Sequence, residues 1–398
     1  DPINSNANMK LQEDKIMKIK DVRLTPLFSK FKTPYVWAMG KNLGQTTILV
    51  EIETDVGVVG YGETAPTMTS PDAVYTLLQT TKSVLLEQPI TQITDLMKQL
   101  FTRNFGHYYA SQSHPRIGNI AFAGVELALW DALGKSVGLP VHALLGGKIH
   151  DTLSFMGFVQ GDTTEDVTIH ARQLVQEGFE VIYLKAGQTN DKDMANVEAV
   201  RKAIGNKRLR IDPNEAWDLM EAQVMLQKLA KYDLEMVEQP VSAIAGVPAL
   251  KALKQSCSVP IAADQSVFTP EEAHAMCASG ASSLLTVGLH ETGGILGFRR
   301  VAAIAKVFDI NVCIHGVWET GITTCASIQA ASGVPNMDDG NQIMWQLLEE
   351  DIVESPNLKP IAGKISVMSG PGLGFILNED AVGRSAEAYD KTKSSQTI

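Results

Sequence analysis

Along the middle of this 398-residue chain, Lys185, Asp212, Glu238, Asp264, Gly288 and His315 follow one another at gaps of 27, 26, 26, 24 and 27 residues. Each position closes a short apolar run, such as Glu180-Val-Ile-Tyr-Leu184, Leu234-Glu-Met-Val237 or Val259-Pro-Ile-Ala-Ala263. One strand, one helix and two short connections occupy about that length, so the interval reads as a repeated β/α unit. Polar groups at the C-terminal ends of successive parallel strands converge on one mouth of a (β/α)8 barrel, where such barrels place their chemistry. Three carboxylates meeting there repel one another, and a divalent cation is the natural remedy.

The chain is long enough for a barrel of about 250 residues and a second domain. Its formal net charge of -11 argues against nucleic acid or an anionic membrane surface as partner. An acidic protein can still take an acidic substrate when a metal and a lysine reverse the field inside the pocket. Cys257, Cys277, Cys313 and Cys325 form no CxxC pair, which suits a reduced cytoplasmic protein better than a disulfide framework or zinc site. No run approaches 18 uninterrupted apolar residues, so no membrane span is expected. Residues 1–16 are polar and lack an apolar signal core, and read as a disordered tail or an expression remnant.

Residues 17–63 alternate in strand fashion, with a hairpin turned at Asp55-Val-Gly57. Helical spacing follows near 71–88, 92–104 and 115–137, the last stopped by Gly138 and Pro140. This gives an α+β capping domain over 17–145, a barrel over 146–368, and a segment over 369–398 that returns to the cap. Within that segment, Gly370-Pro-Gly-Leu-Gly374 is a turn and not a phosphate loop, and the run from there to Tyr389 reads as a strand-like tail.

An α+β cap, strand ends supplying Lys, Asp, Glu and Asp, and the ordered motifs RIDPNEAW, VEQP, AADQS and ETGG together resemble the mandelate racemase and muconate lactonising branch of the enolase superfamily. The likeness runs from residue 17 to 385 and rests on the whole ordered set. It implies an α/β, enolase-like fold: a modified TIM barrel of (β/α)8 type whose N-terminal cap is completed by the C-terminal segment. It also implies a small carboxylate substrate, enolate chemistry and a homo-oligomer of even number. Asp212, Glu238 and Asp264 offer three hard oxygen ligands with room for water and substrate, which suits Mg²⁺ better than Zn²⁺. Singly, such acids are as often helix caps or surface groups.

Family members usually carry Lys-x-Lys at the end of the second barrel strand, the second lysine being the base. Here Tyr183-Leu-Lys185 keeps that base and replaces its neighbour. A lysine of ordinary pKa, about 10.4, must be lowered by burial or a cation to work at neutral pH, or Tyr183 itself must take part. At the sixth strand, lactonising relatives have lysine and racemase relatives aspartate; this chain has Gly288. His315-Gly-Val-Trp-Glu319 resembles the racemase pattern, in which histidine is the base on the opposite face. With the orienting aspartate missing, a backbone carbonyl or Glu319 must hold the imidazole. Tyr35, Trp37 and Lys41 match a family loop that closes over the site, and Asn214 and Glu319 are further candidates for touching substrate. Gln265 reads as an amide behind the last metal ligand, and His107 and His114 as ordinary histidines.

Lys185 and His315 on opposite faces allow two outcomes. Returning the proton to the same carbon gives an epimer; protonating a hydroxyl on the next carbon expels water. An isolated histidine fits a one-way acid better than a symmetric base, which favours a dehydratase of hydroxy or sugar acids. Racemisation or epimerisation, including that of an amino-acid derivative, comes next, and cycloisomerisation third, because the sixth-strand lysine is absent. Outside this class stand a Schiff-base aldolase using Lys185 without metal, and a non-catalytic metal- and ligand-binding protein, suggested by Gly288 and Tyr183.

Overall fold

The computed structural model describes residues 17–67, 69–106 and 116–395. The cap opens with an antiparallel three-stranded sheet, β1 (Ile19–Trp37), β2 (Gly40–Thr54) and β3 (Val59–Thr64). The β2–β3 connection falls at the expected turn, with Gly57 at φ 82°. The sheet packs on α4 (Arg116–Val137), preceded by α1 (Pro71–Gln79), α2 (Lys82–Leu85) and α3 (Ile93–Phe105). Contact between β3 and α4 is so close that a Cβ on Gly62 would run into the carbonyl of Gly124. By length and composition α4 could cross a membrane, yet 83% of its apolar window is buried inside the protein. Its apolar surface is the wedge between cap and barrel: Leu127 joins the barrel core, while Ile120, Phe122 and Val125 join the cap core.

The single helix expected over 71–88 is two. Thr80 and Thr81 turn their hydroxyls onto the carbonyls of Leu77 and Leu78, at 2.6 Å each, taking acceptors that a continuing helix would need. The strand-like tail is also corrected. Only Ile376–Leu377 is extended, and Glu379–Ser395 is helical, its start capped by Asn378 Oδ1 accepting from the Ala381 N–H at 3.0 Å. Ser385 ties this helix to the Phe28 carbonyl of β1 at 3.0 Å.

Seven parallel strands form the barrel wall in chain order: β4 (Gly157–Phe158), β5 (Val181–Lys185), β6 (Arg208–Asp212), β7 (Leu234–Glu238), β8 (Ile261–Ala263), β9 (Leu284–Val287) and β10 (Asn311–Ile314). The eighth place is taken by an irregular stretch, 336–342. Val312 N–H donates to Asn336 O and Gln342 N–H to Ile314 O on one side, and Met156 N–H donates to Asn341 O on the other. These bonds close the wall.

Sharp helix starts keep the loops at the mouth short. Thr163, Thr189, Asp218 and Thr269 each accept a backbone N–H from the first turn of the helix that follows β4, β5, β6 and β8 respectively, and Thr163 and Thr269 head full capping boxes.

Candidate active site

Lys185, Asp212 and Glu238 are the last residues of β5, β6 and β7; Asp264, Gly288 and His315 each follow directly on β8, β9 and β10. Register sets Lys185 beside Asp212. All three acids are completely buried. The Oδ2 of Asp212 accepts from Tyr183 Oη at 2.6 Å and Lys185 Nζ at 2.5 Å, and its Oδ1 accepts from the Asn214 N–H at 2.7 Å. Glu238 accepts from Tyr183 Oη at 3.2 Å and from Gln342 Nε2 at 3.0 and 3.1 Å. Both oxygens of Asp264 lack a hydrogen bond; His315 Nδ1 lies 3.2 Å from its Oδ1 but out of line for one.

Burial, then Asp212, pushes Glu238 up to about 7. Burial raises Asp264 well above the carboxylate range, with Glu291, Glu238 and Asp212 adding to it against the opposing pull of His315. Buried acids driven up by desolvation and by one another, with orphaned oxygens among them, form a donor set fit for a hard divalent cation. Ligand atoms of Glu238, Asp264 and His315 lie within 4.8 Å of one another, while Asp212 is drawn toward Lys185 and Tyr183.

Burial, one of the two means expected to lower Lys185, does not do so by itself. Burial opposes the charge of Lys185, but Asp212, Tyr35 and Glu238 outweigh it and hold the ammonium above the ordinary lysine range. His315 likewise loses to burial and gains more from Asp264 and Glu291, ending at about 10.

Glu291 overturns the expectation that the imidazole lacks an acidic partner. Both its carboxylate oxygens lie 2.9 Å from His315 Nδ1. It sits in a one-turn helix, α10 after α5 (Thr164–Gln176), α6 (Asn190–Ile204), α7 (Leu219–Leu229), α8 (Gly246–Ser256) and α9 (Pro270–Ala278), that spans Leu289–Thr292. A glutamate three residues after the position that opens a helix is a capping signal, so ETGG held the clue.

Above this row is a cavity of about 720 Å³ whose lining includes Tyr35, Trp37, Arg116, Asn214, Gln265 and Trp318. Tyr35 and Trp37, from the end of β1, each meet Trp318 edge-on at 5.4 Å. Asn214, Glu215 and Trp318 all take positive φ, 48°, 65° and 60°, a strain that surrounding structure must impose. Gln265 turns an unpartnered buried Oε1 toward this region. Arg116, which the motifs did not flag, stacks 4.1 Å over Phe268 and donates to Gln265 O and Glu272; nothing in its local sequence marked it.

Three candidates stand elsewhere. Tyr183 does not line the cavity, and its hydroxyl is committed to Asp212 and Glu238, a geometry that suits clamping the acids better than carrying a proton. Glu319 does not reach substrate space: it accepts the N–H groups of Val317 and Met344 at 2.7 Å each and pins the seventh-strand loop. Lys41 pairs at 2.6 Å with Asp162, outside the cavity. His107 and His114 lie outside the described residues.

Comparison with known proteins agrees with this architecture. Residues 19–146 match the mandelate racemase / muconate lactonizing enzyme N-terminal domain, and 166–381 the enolase C-terminal domain-like family. An L-Ala-D/L-Glu epimerase of Bacillus subtilis is 29% identical over 91% of this chain and 97% of its own. A chloromuconate cycloisomerase of Cupriavidus pinatubonensis is 30% identical over 89% and 93%. A dipeptide epimerase of Cytophaga hutchinsonii, solved with Mg and the dipeptide D-Ala-L-Val, superposes with a TM-score of 0.84 at 25% identity, covering 92% of this chain and 98% of that one.

Proposed function

Because the chain belongs to the mandelate racemase and muconate lactonizing enzyme family of the enolase superfamily, we propose that this enzyme is a racemase or epimerase of a carboxylic acid with an apolar substituent. Asp212, Glu238 and Asp264 would hold Mg²⁺. When bound, the ion supplies positive charge against the substrate carboxylate as negative charge grows there. Lys185, held protonated by the field of those acids, would be able to take a proton once that field is neutralised.

The observation that carries this reading is the placing of Lys185 on Asp212 and of His315 beside Asp264, at the two ends of the acid row. Lys185 moves the α proton on one face and His315, through Nε2, on the other. A histidine backed by a carboxylate can accept a proton as well as give one. That removes the reason for preferring dehydration. The wall also favours an apolar side group over a sugar chain: Tyr35, Trp37, Ile117, Ile120, Phe268 and Trp318 offer few partners for a run of hydroxyls. Gln265 and Asn214 orient the polar end.

Dehydration remains the second reading, because a His315 held protonated is a ready acid for a departing hydroxyl. Dipeptides, N-acyl amino acids and β-hydroxy acids, each as separate stereoisomers, discriminate the two. With Mg²⁺ in D₂O, Lys185→Met should retain α-proton exchange in one stereoisomer and His315→Asn in the opposite one, each losing roughly 10² to 10⁴ in turnover. Appearance of an α,β-unsaturated acid from the β-hydroxy acids, with no inversion of any compound, overturns the epimerase reading.

A further inference from the structure

We propose that Glu291 is the positioning residue of His315, and that Gly288 is the space its carboxylate fills. The acid that would orient the imidazole from the end of the sixth strand has moved three residues along the chain. Gly288 directly follows β9, and Glu291 folds back from the next turn so that its Oε2 accepts the Gly288 N–H at 3.0 Å. A Cβ built on Gly288 would lie 2.5 Å from that same Oε2 and 3.5 Å from the Cβ of His315.

The backbone of Gly288, at φ -99° and ψ 149°, is one that any residue adopts. Glycine is therefore not needed there for its conformational freedom. What a side chain at 288 would meet is the end of Glu291, and the two compete for a single place beside the imidazole.

The turn that carries Glu291 is gripped from the cap. Asn119 of α4 donates to the Glu291 carbonyl at 2.8 Å, and the His290 ring bonds the Glu63 carbonyl of β3 at 2.8 Å. Glu291 is 5% exposed. With Nδ1–H donating to this fixed carboxylate, Nε2 is left as the nitrogen that exchanges protons with the cavity. The catalytic consequence rests on the two-sided proton transfer proposed for Lys185 and His315; the tautomer does not.

The test uses the full chain with Mg²⁺ and ¹⁵N-labelled histidine, reading the imidazole by long-range ¹H–¹⁵N correlation, with His315 assigned from its loss in His315→Asn. Wild type should show one neutral tautomer, protonated at Nδ1, in deprotonating conditions. Glu291→Ala should show a mixture and lose roughly 10- to 100-fold in kcat, the size typical of groups behind a site, with KM changed less. Glu291→Gln, whose amide oxygen can take both the Gly288 N–H and the Nδ1–H, guards against a folding defect and should keep the tautomer. Adding Gly288→Asp to Glu291→Ala should recover both tautomer and kcat, since an acid now reaches the ring from 288. An unchanged tautomer in Glu291→Ala, or a folded double variant with no recovery in either, overturns the proposal. Absence of turnover in wild type on every carboxylate would count against the epimerase reading alone, because the tautomer still decides the role of Glu291.

Discussion

Asp264 buries two carboxylate oxygens without a hydrogen bond and is crowded by Glu291, Glu238 and Asp212, and buried polar atoms left without a hydrogen bond are costly for a fold to hold. Such strain persists where function needs it. Asp264→Asn should therefore raise the melting temperature of the metal-free protein while weakening Mg²⁺ binding at least tenfold in a calorimetric titration. Unchanged Mg²⁺ affinity in that variant would remove Asp264 from the metal set. At this scale the sequence was most legible where a polar, ionisable residue recurs at one place on the strand: Lys185, Asp212, Glu238, Asp264 and His315 all stand at strand ends. It was least legible where a side chain's direction decides the role. Tyr183 and Glu319 lie within the motifs yet point into the protein, and Glu291 reaches the imidazole only because its turn folds back.

Helix starts are the elements through which the cap holds the barrel. Glu126, on α4, accepts the Ile295 and Leu296 N–H groups at the start of α11 (Ile295–Val307) at 2.9 and 3.1 Å. Glu63, on β3, does the same for Thr320 and Thr323 at α12 (Gly321–Ala331). Burial pushes both acids up to about 7, against the pull of those N–H groups. A carboxyl whose folded pKa lies above its unfolded value, 4.5 here, stabilises fully below 4.5, and that contribution is lost as pH rises through about 7. For Glu126 the span corresponds to an effect on the order of 3 kcal/mol. Thermal unfolding in saturating Mg²⁺, which quiets the acids at the mouth, should show a melting temperature that falls between pH 5 and 8. Glu126→Gln should flatten that slope; an equal slope in both proteins would deny Glu126 this role. Neither contact was readable from sequence, since each joins residues more than 160 positions apart. The break at Thr80–Thr81 and the helix after Asn378 were missed for a different reason: side-chain bonds to the backbone outweighed the apolar pattern.

On the scale of the whole molecule, the barrel brings the acids together and the cap supplies the wall. Strand spacing carried the first in the sequence because the β/α repeat is local; the second depends on where the end of β1 meets Trp318, a contact of nearly 300 residues' separation. The proposed chemistry rests on their sum: Lys185 and His315 on either side of a row of buried acids, under an aromatic roof. The most direct test of that account is α-proton exchange by wild-type protein in D₂O, followed by ¹H NMR on the dipeptide and N-acyl amino acid set, with Mg²⁺ and again with chelator. The account predicts loss of the α signal with Mg²⁺, accompanied by the appearance of the other stereoisomer, and both stopped by chelation. Exchange undiminished by chelator, or a borohydride-trapped adduct on Lys185, would contradict it.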